Sequence, residues 1–281
     1  MTIPVVLICF FVFLPLSGGA LLFAFPERGR KLLPLLFLVN TILTGYMILM
    51  GFEDSIVVSG SFGVEIVFDR PGLILTLMNG IVFLAVSLSM AERSLPPLAM
   101  SLISMLHGTA NAVFISNDLF NIFVCVDLAG ILGFLLIRMG RKPRQVWSAV
   151  KYLVTANFGM ILYLLGCLQI YTHTGSFSIS SLGAVPHGAV ALLLTGLSVK
   201  GGILAMGLWL PEAHGEAEAE VSALLSGVVV KVGLAPMFRI ASVSLSAQEF
   251  LSFLGPLVAI WGVFYAMAEK DLKKMLAYST L

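Results

Sequence analysis

Long apolar stretches separated by short polar ones run through the whole chain of 281 residues. A helix needs about 20 residues to cross the hydrocarbon core of a bilayer, and nine stretches approach or exceed that length. Their approximate bounds are 2–25, 32–51, 71–90, 96–116, 119–137, 146–171, 188–208, 222–241 and 250–267. The pattern predicts an all-α polytopic membrane protein with about nine transmembrane helices.

Two segments depart from this pattern. Residues 53–70, EDSIVVSGSFGVEIVFDR, alternate apolar and polar positions around SGSFG, which predicts a small β-hairpin on the outer surface. Residues 269–281, EKDLKKMLAYSTL, predict the amphipathic start of a tenth helix. The chain has no long linker or low-complexity tract, so we expect a single membrane domain over residues 1–281.

The composition supports a membrane location and excludes several functions. Hydrophobic residues make up 59% of the chain and charged residues 11%, and the mean hydropathy is +1.03, far from a water-soluble domain. Sixteen basic against 15 acidic residues give a net charge of +1, so we expect no nucleic-acid partner. The three cysteines stand apart, and the chain lacks a glycine-rich nucleotide loop and a nucleophile–base pair. We therefore expect no metal, no cofactor and no catalytic centre.

Basic residues fall unevenly between the loops. Loops after odd-numbered spans contain twelve of the sixteen, whereas loops after even-numbered spans contain only Arg70 and Arg239. Positive loops stay on the cytoplasmic side. We expect a multi-pass protein of the cell membrane, with its N-terminus outside and its C-terminus in the cytoplasm.

Three charged residues lie near the middle of predicted spans: Asp127, Lys200 and Lys231. A charge at the bilayer centre costs about 2.5–3.5 kcal/mol on insertion scales, so such residues are usually functional. One acid can neutralise only one lysine at a time, and its movement between two lysines would make them release and recapture protons. The three residues therefore predict a proton relay. The alternative is a structural ion pair between Asp127 and one lysine.

The seventh span contains residues that disfavour a continuous helix. Gly201 and Gly202 directly follow Lys200, and Pro211 lacks a backbone donor. Non-helical backbone at membrane depth is tolerated where it lines a watery cavity, and broken helices often form ion sites. We predict a broken seventh helix beside Lys200, with a purely structural kink as the alternative.

Other polar residues near these spans are candidate accessory residues. Glu212 and His214 lie in the segment PEAHGEAEAE, residues 211–220, which the charges predict to be a solvated cytoplasmic loop. This segment lacks HExxH, which disfavours a metal site. Tyr152 in the sixth span offers a hydroxyl to water or to a neighbouring helix. Asp118 precedes the fifth span and predicts its N-cap.

Four segments, quoted from the fifth span onward, together resemble one protein family. They are SNDLFNIFVCVDLAGILGFLLI, KYLVTANFGMILYLLGCLQIYTHTGSF, GLSVKGGILAMGLWLPEAHGEAEAEVSALLSGVVVKVGL and EKDLKKMLAYST. They are similar to the antiporter-like subunits of respiratory complex I, Mrp-type sodium/proton antiporters and membrane-bound hydrogenases. The DLFN sequence is most similar to the Mrp and hydrogenase branch. The resemblance extends over about residues 60–281.

The resemblance implies a fold of leading helices followed by two inverted five-helix repeats. The leading helices and hairpin would occupy residues 1–95 and the first repeat residues 96–241. Residues 242–281 would begin a second repeat, which this chain leaves incomplete. Either a separate partner chain supplies the rest of that repeat, or the sequence is a fragment of a longer protein, or the subunit retains only half a pathway. The other expected partners are antiporter-like and further membrane subunits of a respiratory or hydrogenase-type complex.

The resemblance also implies a role for each buried charge. Asp127 matches the acid of the fifth span, usually a glutamate, which modulates the lysine. Lys200 would take and release protons, and Lys231 would pass them along the membrane plane. The implied function is a membrane subunit of a redox-driven complex that translocates protons, alone or in exchange for sodium. The alternative is a structural or coupling subunit that retains half a channel and does not conduct.

Overall fold

The computed structural model describes residues 3–58, 63–91, 96–140, 142–203, 207 and 209–281. Within these residues the chain forms eleven α-helices, two of them with an internal π-helical turn, a short 3-10 helix at Ile179–Ala184 and one two-stranded sheet. Eight of the described helices are long and apolar enough to cross a membrane. The predicted all-α polytopic fold is confirmed. The chain divides into two compact units, residues 1–117 and 118–281.

The first unit contains four long helices and the hairpin. Its elements are α1 (Ile3–Ala24, with a π-helical turn at Cys9–Phe13), α2 (Pro26–Leu49), β1 (Asp54–Val58), β2 (Val64–Phe68), α3 (Arg70–Ala91) and α4 (Pro97–Ile115). Helix α4 lies inside this unit and packs on α1 and α3. Small residues permit the contact, because a Cβ on Gly19 would lie 2.9 Å from the carbonyl of Ser101, and one on Gly108 would lie 2.8 Å from that of Val12.

The predicted hairpin is confirmed. Strands β1 and β2 pair antiparallel, with Ile56 opposite Ile66. Ile66 and Phe68 of β2 are buried, whereas β1 is largely exposed. A β-bridge between Ile66 and Ser116 attaches the hairpin to the end of α4. The turn residues 59–62 lie outside the described residues.

The second unit contains the remaining seven helices. They are α5 (Leu119–Arg138), α6 (Pro143–Thr174), α7 (His187–Gly201), α8 (Trp209–Glu216), α9 (Ala219–Val243, with a π-helical turn at Leu225–Val229), α10 (Leu245–Ala268) and α11 (Leu272–Thr280). Asp118 caps α5 as predicted, because its carboxylate accepts a hydrogen bond from the backbone N–H of Asn121 at 2.6 Å. Asp271 caps α11 in the same way, through the N–H groups of Lys273 and Lys274. The predicted tenth-helix start is therefore present.

Helices α6 and α7 approach each other very closely. A Cβ on Gly159 of α6 would lie 2.8 Å from the carbonyl of Gly196 on α7. A Cβ on Gly166 would lie 2.9 Å from the carbonyl of Ala189, two turns along the same contact. Glycine at these positions lets the two backbones touch, which positions the side chains of α6 against the end of α7.

The predicted break in the seventh span is present. Helix α7 ends at Gly201, and Gly202 adopts a left-handed conformation with φ 71°. The N–H of Ile203 bonds the carbonyl of Ser198, and that of Gly202 bonds Val199, which is the Schellman ending that favours glycine. Helix α7 has 15 residues and α8 has 8, so neither is long enough to span alone. The described residues therefore form eight span-length helices, and the seventh predicted span is divided between the shorter helices α7 and α8.

The loop predicted for residues 211–220 is wrong. Residues 209–216 form α8, and α9 begins at Ala219. His214 and Glu220 are buried. The charged residues of this segment favoured a loop in the sequence, but Pro211 is the third residue of α8, where its missing N–H would have no intrahelical partner.

The predicted repeat boundaries, at 95/96 and 241/242, are a separate matter. The two compact units do not test them, so they stay predictions.

Candidate functional site

Lys200 is fully buried at the end of a helix. It is the penultimate residue of α7, and none of its surface is exposed. Its Nζ donates a hydrogen bond to the hydroxyl of Tyr152, at 3.0 Å. Tyr152 lies on α6 and is also completely buried. The predicted relay lysine and the predicted accessory tyrosine therefore meet directly inside the second unit.

Two glycines on α5 make room for this pair. A Cβ on Gly130 would overlap the Nζ of Lys200, and a Cβ on Gly133 would lie 3.1 Å from the Tyr152 hydroxyl. Gly130 and Gly133 follow Asp127 at intervals of three residues, so all three lie on one face of α5. We call this face the α5 slot, defined by Asp127, Gly130 and Gly133. The sequence reasoning missed the two glycines, although their three-residue spacing from the buried acid was visible.

Asp127 lies near the pair without forming a direct ion pair with Lys200. It is half-buried on α5, one turn before Gly130, and lies close enough for its charge to act on both Lys200 and Tyr152. Among the residues that the structure describes, the direct partner of the Lys200 amine is the Tyr152 hydroxyl. The structure shows no direct contact between Asp127 and Lys200, and the expected pairing of the two stays a prediction.

Trp209 connects the two sides of the helix break. It is the first residue of α8, and its indole N–H donates to the carbonyl of Val199 on α7 at 3.0 Å. Its ring lies against Tyr152, with the ring centroids 4.6 Å apart. Trp209 therefore covers the Lys200–Tyr152 pair and satisfies a carbonyl at the break. The sequence reasoning missed this role, because the contact depends on how α6, α7 and α8 meet.

Close contact at two glycines brings the end of α7 against α9. A Cβ on Gly233 would lie 2.6 Å from the backbone nitrogen of Gly201 and 2.9 Å from the carbonyl carbon of Lys200. Lys231 lies on α9, two residues before Gly233. Gly202 ends the helix, whereas Gly201 provides close packing, so the two adjacent glycines have different roles.

Lys231 is bonded to an irregular turn of its own helix. Its Nζ donates to the carbonyl of Ser226 at 2.8 Å. Ser226 lies in the π-helical turn Leu225–Val229, where the widened backbone departs from the regular α-helical hydrogen-bond pattern. The hydroxyl of Ser226 forms a 2.8 Å hydrogen bond with that of Thr280 on α11. Lys231 is only half-buried, unlike Lys200.

The two remaining accessory candidates differ in position. His214 on α8 is buried; its Nδ1 lies 3.2 Å from the hydroxyl of Ser222, and it is near enough to Lys231 for that charge to act on it. Its Nε2 has no hydrogen-bond partner within the described part of the chain. Glu212 instead forms an ion pair with Lys151 at 2.7 Å, with the side chains 47% and 40% exposed. That exposed pair contributes little to stability.

The arrangement contains groups that can both donate and accept protons. A tyrosine hydroxyl can accept a hydrogen bond from an ammonium or donate one to a neutral amine. Among the described residues no hydrogen bond joins Lys200 to Lys231, so proton transfer between them would require water or a movement of the side chains. The structure thus brings Asp127, Lys200 and Tyr152 together and places Lys231 and His214 at a neighbouring position.

Comparisons with known proteins agree with the sequence resemblance. Residues 116–281 match the family described as "NADH:quinone oxidoreductase/Mrp antiporter, TM". One of the subunits of the Na(+)/H(+) antiporter of Alkalihalophilus pseudofirmus is 26% identical over 236 residues, covering 77% of this chain and 48% of that protein. Hydrogenase-4 component B of Escherichia coli is 29% identical over 184 residues, covering 60% of this chain and 27% of that protein.

A solved structure shares the fold. A chain of the Mrp complex from Dietzia sp. DQ12-45-1b superposes with a TM-score of 0.88 and 20% identity, covering 97% of this chain and 56% of that chain. This chain spans between about a quarter and 60% of the length of the curated relatives that it matches. On the family match over more than half of its residues, the chain belongs to the NADH:quinone oxidoreductase/Mrp antiporter family of membrane subunits.

Proposed function

We propose that this chain is an ion-translocating subunit of a multi-subunit membrane complex, in which protons move through Asp127, Lys200 and Lys231. The observation that carries the proposal is the Lys200–Tyr152 hydrogen bond of 3.0 Å between two fully buried side chains in the α5 slot. A lysine buried at this depth is costly. A purely structural role would not require so specific a cavity around its amine.

The Tyr152 hydroxyl suits a lysine that changes its charge. When Lys200 carries a proton, the phenol oxygen accepts a hydrogen bond from the ammonium; when Lys200 is neutral, the phenol can donate to the amine. The amine therefore keeps a partner in both states, and only the hydroxyl hydrogen has to rotate. This pair can load and unload a proton without a large rearrangement of α6 and α7.

Asp127 would control the loading of Lys200. A nearby carboxylate favours the charged form of a lysine, and Asp127 lies one turn before Gly130, the glycine that packs against the Lys200 amine. Movement of the carboxylate or a change in its own charge would shift the proton affinity of the amine. Beyond Lys200, the next group in the proposed path is Lys231. Water bonded to the unpartnered Nε2 of the nearby His214 would extend the path from Lys231.

We infer the partners and the transported ion from the relatives. The relatives are named as subunits of sodium/proton antiporters, quinone oxidoreductases and a hydrogenase. By analogy, this chain would assemble with other membrane subunits in a cell membrane, its N-terminus outside. It would translocate protons, in exchange for sodium if its complex is of the Mrp type. The implied repeats, 96–241 and 242–281, remain part of this proposal.

The proposal is tested by Lys200→Ala in the native complex. Everted membrane vesicles are energised with the substrate of the complex, and proton uptake is followed with a pH-sensitive dye. Complex assembly is measured by native gel. We expect loss of proton uptake with normal assembly. Lys270→Ala, a substitution of an exposed lysine on the short connection before α11, is the matched control and should change neither readout.

Two other outcomes would point elsewhere. Unchanged proton uptake per assembled complex in Lys200→Ala would reject the relay. Poor assembly of this variant, with normal uptake by the complexes that do form, would favour a structural subunit that does not conduct. Uptake of radioactive sodium in the same vesicles shows whether sodium exchanges for protons, and the Lys200→Ala complex should lose both fluxes together if they share the lysine.

A further inference from the structure

A second buried polar cluster lies in the first unit, on the facing sides of α2, α3 and α4. It consists of Asn40 on α2, Thr76 and Asn79 on α3, and His107 and Asn111 on α4, none of which is more than 2% exposed. We call these five residues the His107 cluster. None of them belongs to the proposed relay, which lies entirely in the second unit.

The amides around His107 have fixed orientations. The Asn79 Nδ2 donates to the Asn111 Oδ1 at 2.7 Å and to the carbonyl of His107 at 3.2 Å. The Asn111 Nδ2 donates to the carbonyl of Phe11, in the π-helical turn of α1, at 3.0 Å. If either amide were flipped, its oxygen would face these acceptor oxygens. The hydrogen-bond network therefore determines where each oxygen and nitrogen lies.

This orientation leaves the imidazole without an acceptor. The Nδ1 of His107 lies 3.2 Å from the Asn79 Nδ2, and its Nε2 lies 3.3 Å from the Asn111 Nδ2. Both ring nitrogens thus face amide NH₂ groups. A neutral imidazole carries one N–H, so in either tautomer that N–H points at a donor rather than at an acceptor.

Further atoms of the cluster have no partner either. Within the described residues, both amide atoms of Asn40, the hydroxyl of Thr76 and the Oδ1 of Asn79 are buried and form no hydrogen bond. Native proteins satisfy nearly all such atoms, with protein groups or with ordered water. Four unpartnered atoms on two facing helices are therefore an unusual concentration.

Asn40 and Asn79 lie beside the point where their two helices touch. Helices α2 and α3 touch where Gly80 meets Thr41, since a Cβ on Gly80 would lie 3.3 Å from the Cα of Thr41. Asn40 and Asn79 directly precede these two residues in the chain. The rings of Phe37 and Phe83, one turn from Asn40 and from Asn79, both contact the His107 ring, with centroid distances of 4.7 and 4.9 Å.

We propose that the His107 cluster binds a small group of water molecules within the membrane-spanning part of the first unit. Water can donate to the oxygens of Asn40 and Asn79, accept from the Asn40 amide and bond the Thr76 hydroxyl, which gives all four unpartnered atoms a partner. The five residues offer only neutral ligands, with no carboxylate to balance a bound cation. Water is therefore the occupant that this chemistry favours.

Radiolytic hydroxyl labelling of the assembled complex tests the proposal, because radicals formed from bound water oxidise the side chains beside it. We expect oxidation of His107, Phe37 and Phe83, although all three are fully buried. Phe68, a fully buried phenylalanine of the same unit, gives the background for dry positions. Oxidation of Phe37 and Phe83 no higher than that of Phe68 would overturn the proposal.

Asn40→Leu tests the same water by stability. If water is bound, leucine displaces it and leaves the Asn79 oxygen without a partner, so the Tm of the detergent-solubilised complex and the labelling of Phe37 should both fall. If the site is dry, leucine removes two unpartnered atoms and the Tm should rise, which would contradict the proposal. Thr44→Val is the control, because the Thr44 hydroxyl is buried one turn away but already bonded to the Asn40 carbonyl at 2.8 Å.

A comparison of two salts distinguishes bound water from a bound cation. Labelling is repeated with sodium replaced by choline at equal ionic strength. A hydration site gives the same labelling of Phe37 and Phe83 in both salts. Lower labelling in sodium would show that a cation displaces the water, and the assignment of the site to water would then be wrong.

Discussion

At the residue scale, the central feature is a lysine whose partner is a neutral hydroxyl. The sequence alone pointed to three charged residues, Asp127, Lys200 and Lys231, because each interrupts an apolar run, where a charge is costly to bury. Tyr152 was visible only as one aromatic residue among several in the sixth span. Tyr152 becomes the partner of Lys200 only because α5, α6 and α7 pack together. These helices are far apart in the chain, so the local sequence around Tyr152 carries no sign of the contact.

Tyr152→Phe should remove the partner of Lys200 and little else. Hydrogen bonds to charged groups contribute about 1.5–3 kcal/mol, so we expect proton uptake per assembled complex to fall by about tenfold or more. Tyr163→Phe is a matched control on the same helix: Tyr163 is equally buried, but its hydroxyl bonds the backbone carbonyl of Leu119 at 3.1 Å. That variant should lose stability and keep its uptake. Equal uptake in the two variants would contradict the role given to Tyr152.

Gly130→Ala should close the α5 slot. The added methyl group would overlap the Lys200 amine, and overpacking of this kind costs about 1–3 kcal/mol. We expect a lower Tm of the complex together with loss of proton uptake. Gly255→Ala, in a helix where an added Cβ meets nothing within 4 Å, should leave uptake unchanged. Normal uptake in Gly130→Ala would show that the slot is not needed around the amine.

At the element scale, the broken crossing of α7 and α8 shows what local sequence can and cannot predict. Two adjacent glycines predicted the break, and Gly202 adopts the left-handed conformation that ends α7. The charged segment after Pro211 predicted a loop, yet it forms α8 and buries His214. Charge density was misleading because a charged side chain is compatible with the exposed face of a helix: Glu212 is 47% exposed on α8, where it pairs with Lys151 of α6.

Gly202→Ala should disturb this break. A residue with a Cβ pays about 1–2 kcal/mol in the left-handed region, and its Cβ would also lie 2.8 Å from the Leu210 side chain. We expect reduced stability in denaturant unfolding and reduced proton uptake, since the end of α7 positions Lys200. Gly188→Ala, in the first turn of α7 with nothing within 4 Å of the added Cβ, is the control. Identical behaviour of the two variants would exclude a role for the left-handed turn.

At the scale of the whole molecule, the sequence predicted the fold class and its elements better than the contacts between helices. Hydrophobic periodicity predicted the long helices, and the alternation around SGSFG predicted β1 and β2. The sequence did not predict the His107 cluster, because its polar residues are scattered over three spans and each alone resembles an ordinary helix residue. A site made by several helices becomes visible only when their faces are known.

The uneven distribution of basic residues predicts which side each loop faces. The connection before α6 should be cytoplasmic and the connection before α7 external. A membrane-impermeant maleimide added to intact cells should label Ser180→Cys and leave Lys142→Cys unlabelled; both positions are exposed. Disrupted membranes should allow labelling of both, and the unsubstituted chain gives the background of its three native cysteines. Labelling of Lys142→Cys alone from outside would reverse the orientation.

The hydroxyl pair between Ser226 and Thr280 ties Lys231 to the position of α11. Only two hydrogen bonds separate the Lys231 amine from that helix: one to the Ser226 carbonyl and one between the two hydroxyls. If Lys231 carries protons as proposed, a displacement of α11 that moves Ser226 would change the surroundings of the Lys231 amine and with them its proton affinity. Because linkage is reciprocal, loading Lys231 with a proton must also change how firmly α11 is held. In the proposed relay, α11 would therefore be a helix whose position and the proton occupancy of Lys231 depend on each other.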